Sequence, residues 1–289
     1  MKIRRIKKRR IRPKHLIRTA GWLLVLLGLL LVYSVKIEPN LLLVRHYQLQ
    51  GETAGTETIR LAQISDIQIG ENYSMKQLQR VVNKIEKQQP DMILFTGDLF
   101  ENYAVCGAEA EAEVTALLGR LQAPLGKYAV WGNRDYGGGA ARASRRILDK
   151  AGFELLCNSS VQITAAEGKQ VLLCGLDDGL FGAPDDAQFP QQMDTFAYRI
   201  LLLHEPDLAQ RWVQSDFQLI LAGHSHGGQV RLPFWAGLRT VLAEQYTRHF
   251  YTLNEETGQQ LYVNTGLGTS HLPVRFGVVP EIAVFDITI

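Results

Sequence analysis

The stretch Phe217-Gln218-Leu219-Ile220-Leu221-Ala222-Gly223-His224-Ser225-His226-Gly227-Gly228-Gln229 decides how the rest of the chain is read. Its apolar half has the length and composition of a buried strand. Its glycine-rich half marks a sharp loop. Two histidines one residue apart in extended chain point the same way, so His224 and His226 can face one point. Imidazole is the commonest metal-ligand side chain, yet one His-x-His at a strand end is more often structural. The balance shifts because apolar runs upstream end in the same manner.

Residues 59–64 run into Ser65-Asp66-Ile67-Gln68, 91–96 into Gly97-Asp98-Leu99, 127–131 into Gly132-Asn133-Arg134-Asp135, and 199–203 into His204-Glu205. Ser74 opens a helix with Met75, Leu78, Val81, Val82 and Ile85 at helical spacing, and Pro90 stops it. A second helix is expected over 108–121. A third is entered through Gly137-Gly138-Gly139 and ends near Ala151-Gly152. The glycine triplet lacks the Lys and the spacing of a P-loop and reads as a flexible helix start. This strand–helix alternation implies a mostly parallel sheet with helices outside it. Shorter strands then follow at 153–156, 161–164, 170–174, 246–253, 260–263 and 282–287, which implies a second sheet packed on the first. Residues 41–49 read as a strand that turns at 51–55 to form a hairpin with 59–64.

In open α/β sheets, ligands bind at the carboxyl ends of strands. Asp66, Asp98, Asn133, His204, His224 and His226 would therefore converge. Taken singly, Asp66 reads as a helix cap, and Asp98 and Asn133 as turn residues. Together they point to a site for two divalent ions, which clamp attacking and leaving oxygens at phosphorus and lower the pKa of bound water.

Ten of the 31 Lys and Arg residues lie in the first 18 positions, so the formal net charge of +2 conceals an acidic remainder. From Thr19 to Val35 no charge interrupts the chain. At the α-helical rise this is about 26 Å, slightly short of a bilayer core. Arg18 and Lys36 can snorkel, and Trp22 and Tyr33 suit the two interfaces. A cleaved signal peptide is the nearest rival, but no small-x-small site follows at Ser34-Val35-Lys36-Ile37. The expectation is a cytoplasmic basic tail over 1–18, an uncleaved single-pass membrane anchor over 19–36, a connector over 37–56 and an extracytoplasmic domain over 57–289. That domain has an acidic balance and no aromatic-and-basic stripe, so no nucleic-acid partner is expected. Cys106, Cys157 and Cys174 form no CxxC; they read as buried thiols, with a Cys157–Cys174 pair left open.

The order D-x-H, G-D-x-x-D, G-N-H-D, H, G-H-x-H is the signature of the calcineurin-like metallophosphoesterases, and this chain resembles them over about residues 57–289. GHSHGGQVRLP and GLGTSHLPVRF further resemble the membrane-anchored bacterial branch often called YkuE-like. The resemblance implies a four-layer αββα sandwich of two mixed sheets behind one transmembrane helix. It implies a first metal on Asp66, Asp98 and His226, and a second on Asp98, Asn133, His204 and His224, with Asp98 bridging and a metal-bound hydroxide as nucleophile. Two positions depart from the pattern. Gln68 stands where the family has a ligand His and offers an amide oxygen, which tilts the expected ions toward Mn²⁺ or Mg²⁺ ahead of Zn²⁺ or Fe. Arg134 stands where the family His binds phosphate and assists the leaving group; it can grip phosphate but cannot donate a proton at neutral pH. Asp135 is read as pairing with Arg134 and aiming it, and Glu101 as standing in for the second carboxylate of G-D-x-x-D. Asn133, Arg134 and Asp135 are thus the catalytic candidates, and Arg134, His271 and Arg275 the substrate-binding ones. The function implied is hydrolysis of a phosphodiester or pyrophosphate, with a lipid-linked substrate such as a UDP-diacylglucosamine-like compound as one candidate. The alternative is a degenerate member that binds metal or phosphate without turnover.

Overall fold

A computed structural model describes residues 13–51, 55–137 and 140–289, leaving aside the side chains of residues 13–17 and 106. Nearly all of the basic run, most of the turn expected at 51–55, Gly138-Gly139 and the Cys106 thiol lie outside the described residues.

Among the described residues, twelve strands form two six-stranded sheets. In chain order they are β1 (Leu43–Gln50), β2 (Thr58–Ile64), β3 (Met92–Phe95), β4 (Lys127–Ala129), β5 (Glu154–Leu155), β6 (Ser159–Thr164), β7 (Gln170–Gly175), β8 (Tyr198–Leu202), β9 (Leu219–Ala222), β10 (His249–Asn254), β11 (Gln259–Val263) and β12 (Glu281–Thr288). The first sheet runs β1-β12-β2-β3-β4-β5 and the second β10-β11-β9-β8-β7-β6. Both are mixed: β2 to β5 are parallel, as are β7, β8, β9 and β11, with antiparallel pairs between β12 and β2, β6 and β7, and β10 and β11. Helices α1 (Pro13–Val32), α2 (Met75–Glu86), α3 (Tyr103–Gly119), the single turn α4 (Asn133–Tyr136) and α5 (Ala140–Lys150) complete the regular structure.

Strand alternation sorts side chains into layers. Ile59 and Leu61 of β2, with Met92 and Leu94 of β3, face Ile200, Leu202, Leu219 and Leu221 of the second sheet in one fully buried layer. Their alternates Ala62, Ile64, Ile93 and Phe95 face the other way and meet Leu78, Val82 and Ile85 of α2. Ser74 and Gln77 form the capping box that starts α2 where the sequence places it. Leu201, Leu203, Ile220 and Ala222 meet a fourth layer that, among the described residues, is made of a 3₁₀ segment over Pro206–Trp212 and loops carrying Phe189 and Phe196, with no α-helix.

The expected hairpin is not formed. β1 pairs in parallel with β12, which lies between β1 and β2. Burial explains the order. β12 is apolar on both faces and buried along its length, so it takes an interior place. β1 alternates between half-buried and exposed positions, as an edge strand does. The stretch read as a connector therefore holds a strand of the domain.

α1 is apolar and almost wholly exposed, and with its continuation the span from Arg18 to Asn40 is long enough to cross a membrane. Its last turn widens into a π-helical turn over Tyr33–Ile37, followed by a 3₁₀ turn over Glu38–Asn40. Cys157 and Cys174 are separate free thiols.

Candidate metal centre

The carboxyl ends of β2, β3, β4, β8 and β9 meet at one edge of the two sheets. Gln63 of β2 ties the sheets together there, donating from Nε2 to Thr96 Oγ1 at 3.1 Å and to the Ala222 carbonyl at 3.0 Å. The loops that leave these strands turn at once, and they do so through left-handed backbone. Asp66, Gln68, Asp98, His224 and His226 all have φ between 47° and 65°. Such φ values are uncommon for residues with a Cβ and cluster where surrounding structure enforces them.

Backbone packing is what enforces them here. Gly223 lies so close to Ser65 and Asp66 that a Cβ would collide with both side chains. Gly97, at φ +92°, abuts Gly132 and the His204 ring. Leu267 and Gly268 donate to the Asp66 carbonyl at 3.2 and 2.8 Å.

Asp66 and Asp98 stand on either side of His204. His204 Nε2 lies 3.5 Å from Asp98 Oδ2 and 3.9 Å from Asp66 Oδ1, while His226 Nε2 lies 3.4 Å from Asp66 Oδ1. The His204 and His224 rings are 5.0 Å apart. His204 Nδ1 is 2.6 Å from the Thr96 carbonyl and His224 Nε2 is 2.9 Å from the Val241 carbonyl, so a backbone oxygen orients each ring and leaves its other nitrogen toward the site. Asp66 Oδ2 accepts from Ser65 Oγ and the His224 amide, at 2.5 and 2.9 Å. Asp98 Oδ1 accepts from the Arg134 amide at 2.7 Å.

The remaining atoms have no partner. Asp66 Oδ1, His204 Nε2, Asn133 Oδ1 and Gln68 Oε1 are buried and unbonded. Buried polar atoms are satisfied almost everywhere in proteins, so the Asp66 and His204 orphans beside Asp98 call for a ligand. One carboxylate, one imidazole and two amide oxygens are donors suited to a divalent cation. The ligand atoms of Asp66, Asp98 and His204 lie within 4.8 Å of one another, and those of His204, Glu205 and His224 do as well. The residues present fit the two ions that the resemblance implies.

Charge agrees with geometry. Burial disfavours a proton on His204, but Asp98 and Asp66 outweigh it and hold the imidazolium well above its ordinary range. The same field attracts any cation. His226 goes the other way: burial pushes it down to about 4, which leaves a neutral imidazole. His224 is also lowered, by burial and by His204 beside it. Glu205, which sequence reasoning passed over, follows β8 and lies beside His204 and His224; burial and Asp178 push its carboxyl far above the usual range.

Two expected roles change. Asp135 does not pair with Arg134. It is buried, and accepts from the amides of Asp98 (2.9 Å), Gly132 (3.0 Å) and Leu99 (3.1 Å) and from Ser144 Oγ, so it braces the Asp98 loop. Arg275 does not reach the cavity. It is fully buried, and its guanidinium donates to the carbonyls of Thr265, Gly266, Gly268 and Val278, stapling the loop that grips Asp66. Its Nη2 lies 3.5 Å from His226 Nδ1. Arg134 does reach the cavity, a quarter exposed, but its partners are Ser270 Oγ (2.9 Å), His271 Nε2 (2.9 Å) and Glu101 (3.4 Å). His271 lines the cavity with it. Gln68 donates to Asp98 Oδ2 at 2.8 Å. Gln229 fixes the 270–272 segment through both ends of its amide, a role with no signal in the sequence beyond its place after the glycines.

A cavity of about 420 Å³ opens over these residues. Asp98, Asn133, His224 and His226 form its floor, Arg134 and Arg239 supply charge, and Leu180, Leu238, Val241 and Leu272 supply an apolar wall.

Two mixed sheets with a histidine–carboxylate cluster at their shared carboxyl edge define a metallophosphoesterase. The chain belongs to the calcineurin-like phosphoesterase family, whose model matches residues 59–228. It is 32% identical over 259 residues to the uncharacterized metallophosphoesterase YkuE of Bacillus subtilis (strain 168), covering 88% of each chain. It is 30% identical over 272 residues to an uncharacterized metallophosphoesterase of Aquifex aeolicus, covering 91% of this chain and 97% of that one. It is 27% identical over 311 residues to the UDP-2,3-diacylglucosamine pyrophosphatase LpxG of Chlamydia trachomatis, covering 88% of this chain and 91% of that one.

Proposed function

We propose that this protein is a membrane-anchored phosphohydrolase that uses two divalent metal ions to cleave a phosphodiester or pyrophosphate bond. The observation that carries the reading is the convergence of the ligand atoms of Asp66, Asp98 and His204, with Asp66 Oδ1 and His204 Nε2 buried and unbonded. Asp66, Asp98 and His226 would hold one ion, and Asp98, Asn133, His204 and His224 the other. Gln68 and the charge density of the site favour Mn²⁺ or Mg²⁺. The ions, when bound, supply Lewis acidity and a nucleophile at neutral pH. The chain's own groups do the rest. Arg134 stands over the floor of the cavity, where its guanidinium can take two phosphate oxygens at once. Ser270, His271 and Glu101 hold it there. The Arg134 guanidinium cannot itself protonate a leaving oxygen, so substrates with stable leaving groups, such as pyrophosphates, suit a site that relies on it better than alkyl esters.

The apolar wall fits a substrate with a lipid portion, and the relation to the LpxG pyrophosphatase supports a lipid-tailed nucleotide sugar as one candidate. α1 as a membrane helix, with the basic run on the cytoplasmic side and the domain on the other, would keep the cavity near such a substrate.

The test is hydrolysis by the full chain of an aryl phosphodiester and a nucleotide-sugar pyrophosphate with Mn²⁺, Mg²⁺ or Zn²⁺, beside Asp98→Asn. Metal-dependent turnover that Asp98→Asn abolishes is expected. Metal binding with no turnover of any ester would instead favour a binding protein without catalysis, a reading supported by Gln68 donating to Asp98. Arg134→His is expected to raise activity on alkyl diesters more than on aryl ones; equal gains would refute the leaving-group argument.

A further inference from the structure

The loop over residues 231–241 leaves its apolar side chains uncovered. Phe234 is fully exposed, and Leu232, Trp235, Leu238 and Val241 are exposed by two-fifths or more. A soluble surface seldom carries so many together, and such patches mark contact sites. Arg231, Arg239 and Arg248 lie around the same loop, and among the described residues none forms an ion pair with a carboxylate. Burial and the two neighbouring arginines lower the Arg231 guanidinium, the mark of a cationic cluster without a counter-charge.

What covers this loop is indicated by its neighbours. Val230 and Arg231 pair with Phe276, and the Arg231 amide donates to the Phe276 carbonyl at 2.7 Å. Phe276 packs edge-on against Tyr33 at 6.1 Å, in the π-helical turn that ends α1. The Arg275 amide donates to the Ser34 carbonyl at 2.9 Å, and the Val278 amide to Glu38 Oε1 at 2.5 Å. Three residues at the exit of α1, the one membrane-length helix among the described residues, are thus bonded or packed to the strand-like segment from which the exposed loop springs. The end of α1 and the 231–241 loop are fixed to each other, not joined by a slack tether. Leu238, Arg239 and Val241 of that loop also form the wall of the metal-site cavity.

We propose that the 231–241 loop is a second membrane contact, with Leu232, Phe234 and Trp235 entering the interface of the same leaflet from which α1 emerges and the arginines meeting anionic headgroups. The cavity then opens at the bilayer surface. Trp belongs at that depth, where an apolar ring meets water, and Arg reaches headgroup phosphates in bidentate fashion. Apolar wedges flanked by cations are the composition of interfacial anchors. The inference rests on α1 crossing the membrane, which is part of the function proposed above. It adds that the domain is docked on the bilayer in one orientation.

The experiment uses the full chain reconstituted in vesicles of phosphatidylcholine and phosphatidylglycerol whose acyl chains are brominated near the headgroup. Bromine quenches indole on contact. The chain has four tryptophans, of which Trp131 and Trp212 are buried in the domain. In Trp22→Phe the quenched emission therefore reports Trp235, and in Trp235→Tyr it reports Trp22. Trp235 emission is expected to fall about twofold against unbrominated vesicles. Phe234→Asp, at a fully exposed position that the core does not use, should restore most of it. Unquenched Trp235 beside quenched Trp22 would overturn the second contact and leave the anchor standing. Unquenched Trp22 would overturn both. Quenching of Trp235 indifferent to Phe234→Asp would keep the loop at the bilayer and overturn the part given to Phe234. None of these readouts needs metal or turnover, so an inactive enzyme refutes the proposed chemistry alone.

Discussion

Glu281 and Asp66 are both carboxylates with no solvent exposure, one with partners for both oxygens and the other with one oxygen bare. Glu281 Oε1 accepts from Tyr262 Oη at 2.9 Å and the Thr265 amide at 3.1 Å. Its Oε2 takes Arg45 Nε at 2.6 Å and faces His249 Nε2 at 3.4 Å. Burial alone would push this carboxyl up, but His249, the Thr265 amide and Tyr262 outweigh it and hold it below its ordinary range. The cluster joins β1 and β12 to β10 and β11, and both Glu281 oxygens are satisfied in it. Asp66 Oδ2 is as well served, but Oδ1 meets only histidine nitrogens at 3.4 and 3.9 Å. The fold evidently can satisfy a buried carboxylate. That it leaves Asp66 and His204 unsatisfied in one place, beside Asp98, marks a site built for something the chain does not itself supply.

Substitutions at four positions break or sharpen this contrast. The largest effect belongs to Asp98. Asp98→Asn should lower turnover on the order of 10³-fold, the equivalent of several kcal/mol of transition-state stabilisation. Mn²⁺ added to chelator-treated protein should raise the melting temperature of the native chain and of Glu281→Gln, and not that of Asp98→Asn. A metal response that survives Asp98→Asn would move the ions elsewhere.

Gly223→Ala forces a methyl between Ser65 and Asp66. It should destabilise by about 1–3 kcal/mol and weaken metal binding. Full stability in a denaturant titration would show that the loop has slack the present packing denies it.

Glu281→Gln tests the satisfied cluster. A carboxyl held below its ordinary range contributes stability that is present above the unfolded value and lost as pH falls through the folded one. The variant should be less stable than the native chain by about 2 kcal/mol at neutral pH. The gap should close as acid carries both through the carboxylate range, below about pH 4.5. A gap independent of pH would mean that shape, not ionisation, sets the loss.

The smallest effect is expected at Arg134, on the exposed wall opposite the buried floor. Arg134→Ala should raise KM about tenfold with a lesser change in kcat, and Arg134→Lys should recover only part of it, because a lysine cannot take two oxygens in one plane. A loss confined to kcat would make Arg134 a transition-state residue instead.

Much of the site was legible because its signals are local. An apolar run followed at once by Asp, Asn or His reports a strand end and a ligand together, and such pairs located Asp66, Asp98, Asn133, His204, His224 and His226. Capping chemistry at Ser74 and the two-residue alternation of β2, β3, β8 and β9 are local in the same sense. What failed depends on partners far along the chain. An arginine in a glycine-rich loop looks the same whether it faces a substrate or, as Arg275 does, four backbone carbonyls. Asp135 beside Arg134 looks like its partner until the 98–99 amides take both its oxygens.

The sequence by itself therefore determined the layers, the strand ends and the residue types able to bind metal, since periodicity and loop composition are written within a few residues. Only the tertiary structure decided that β12 enters between β1 and β2, that the Thr96 and Val241 carbonyls aim His204 and His224, and that the end of α1 is fastened to the loop beside the cavity. Those choices turn on which distant surfaces bury one another best, and burial is a property of the assembled chain.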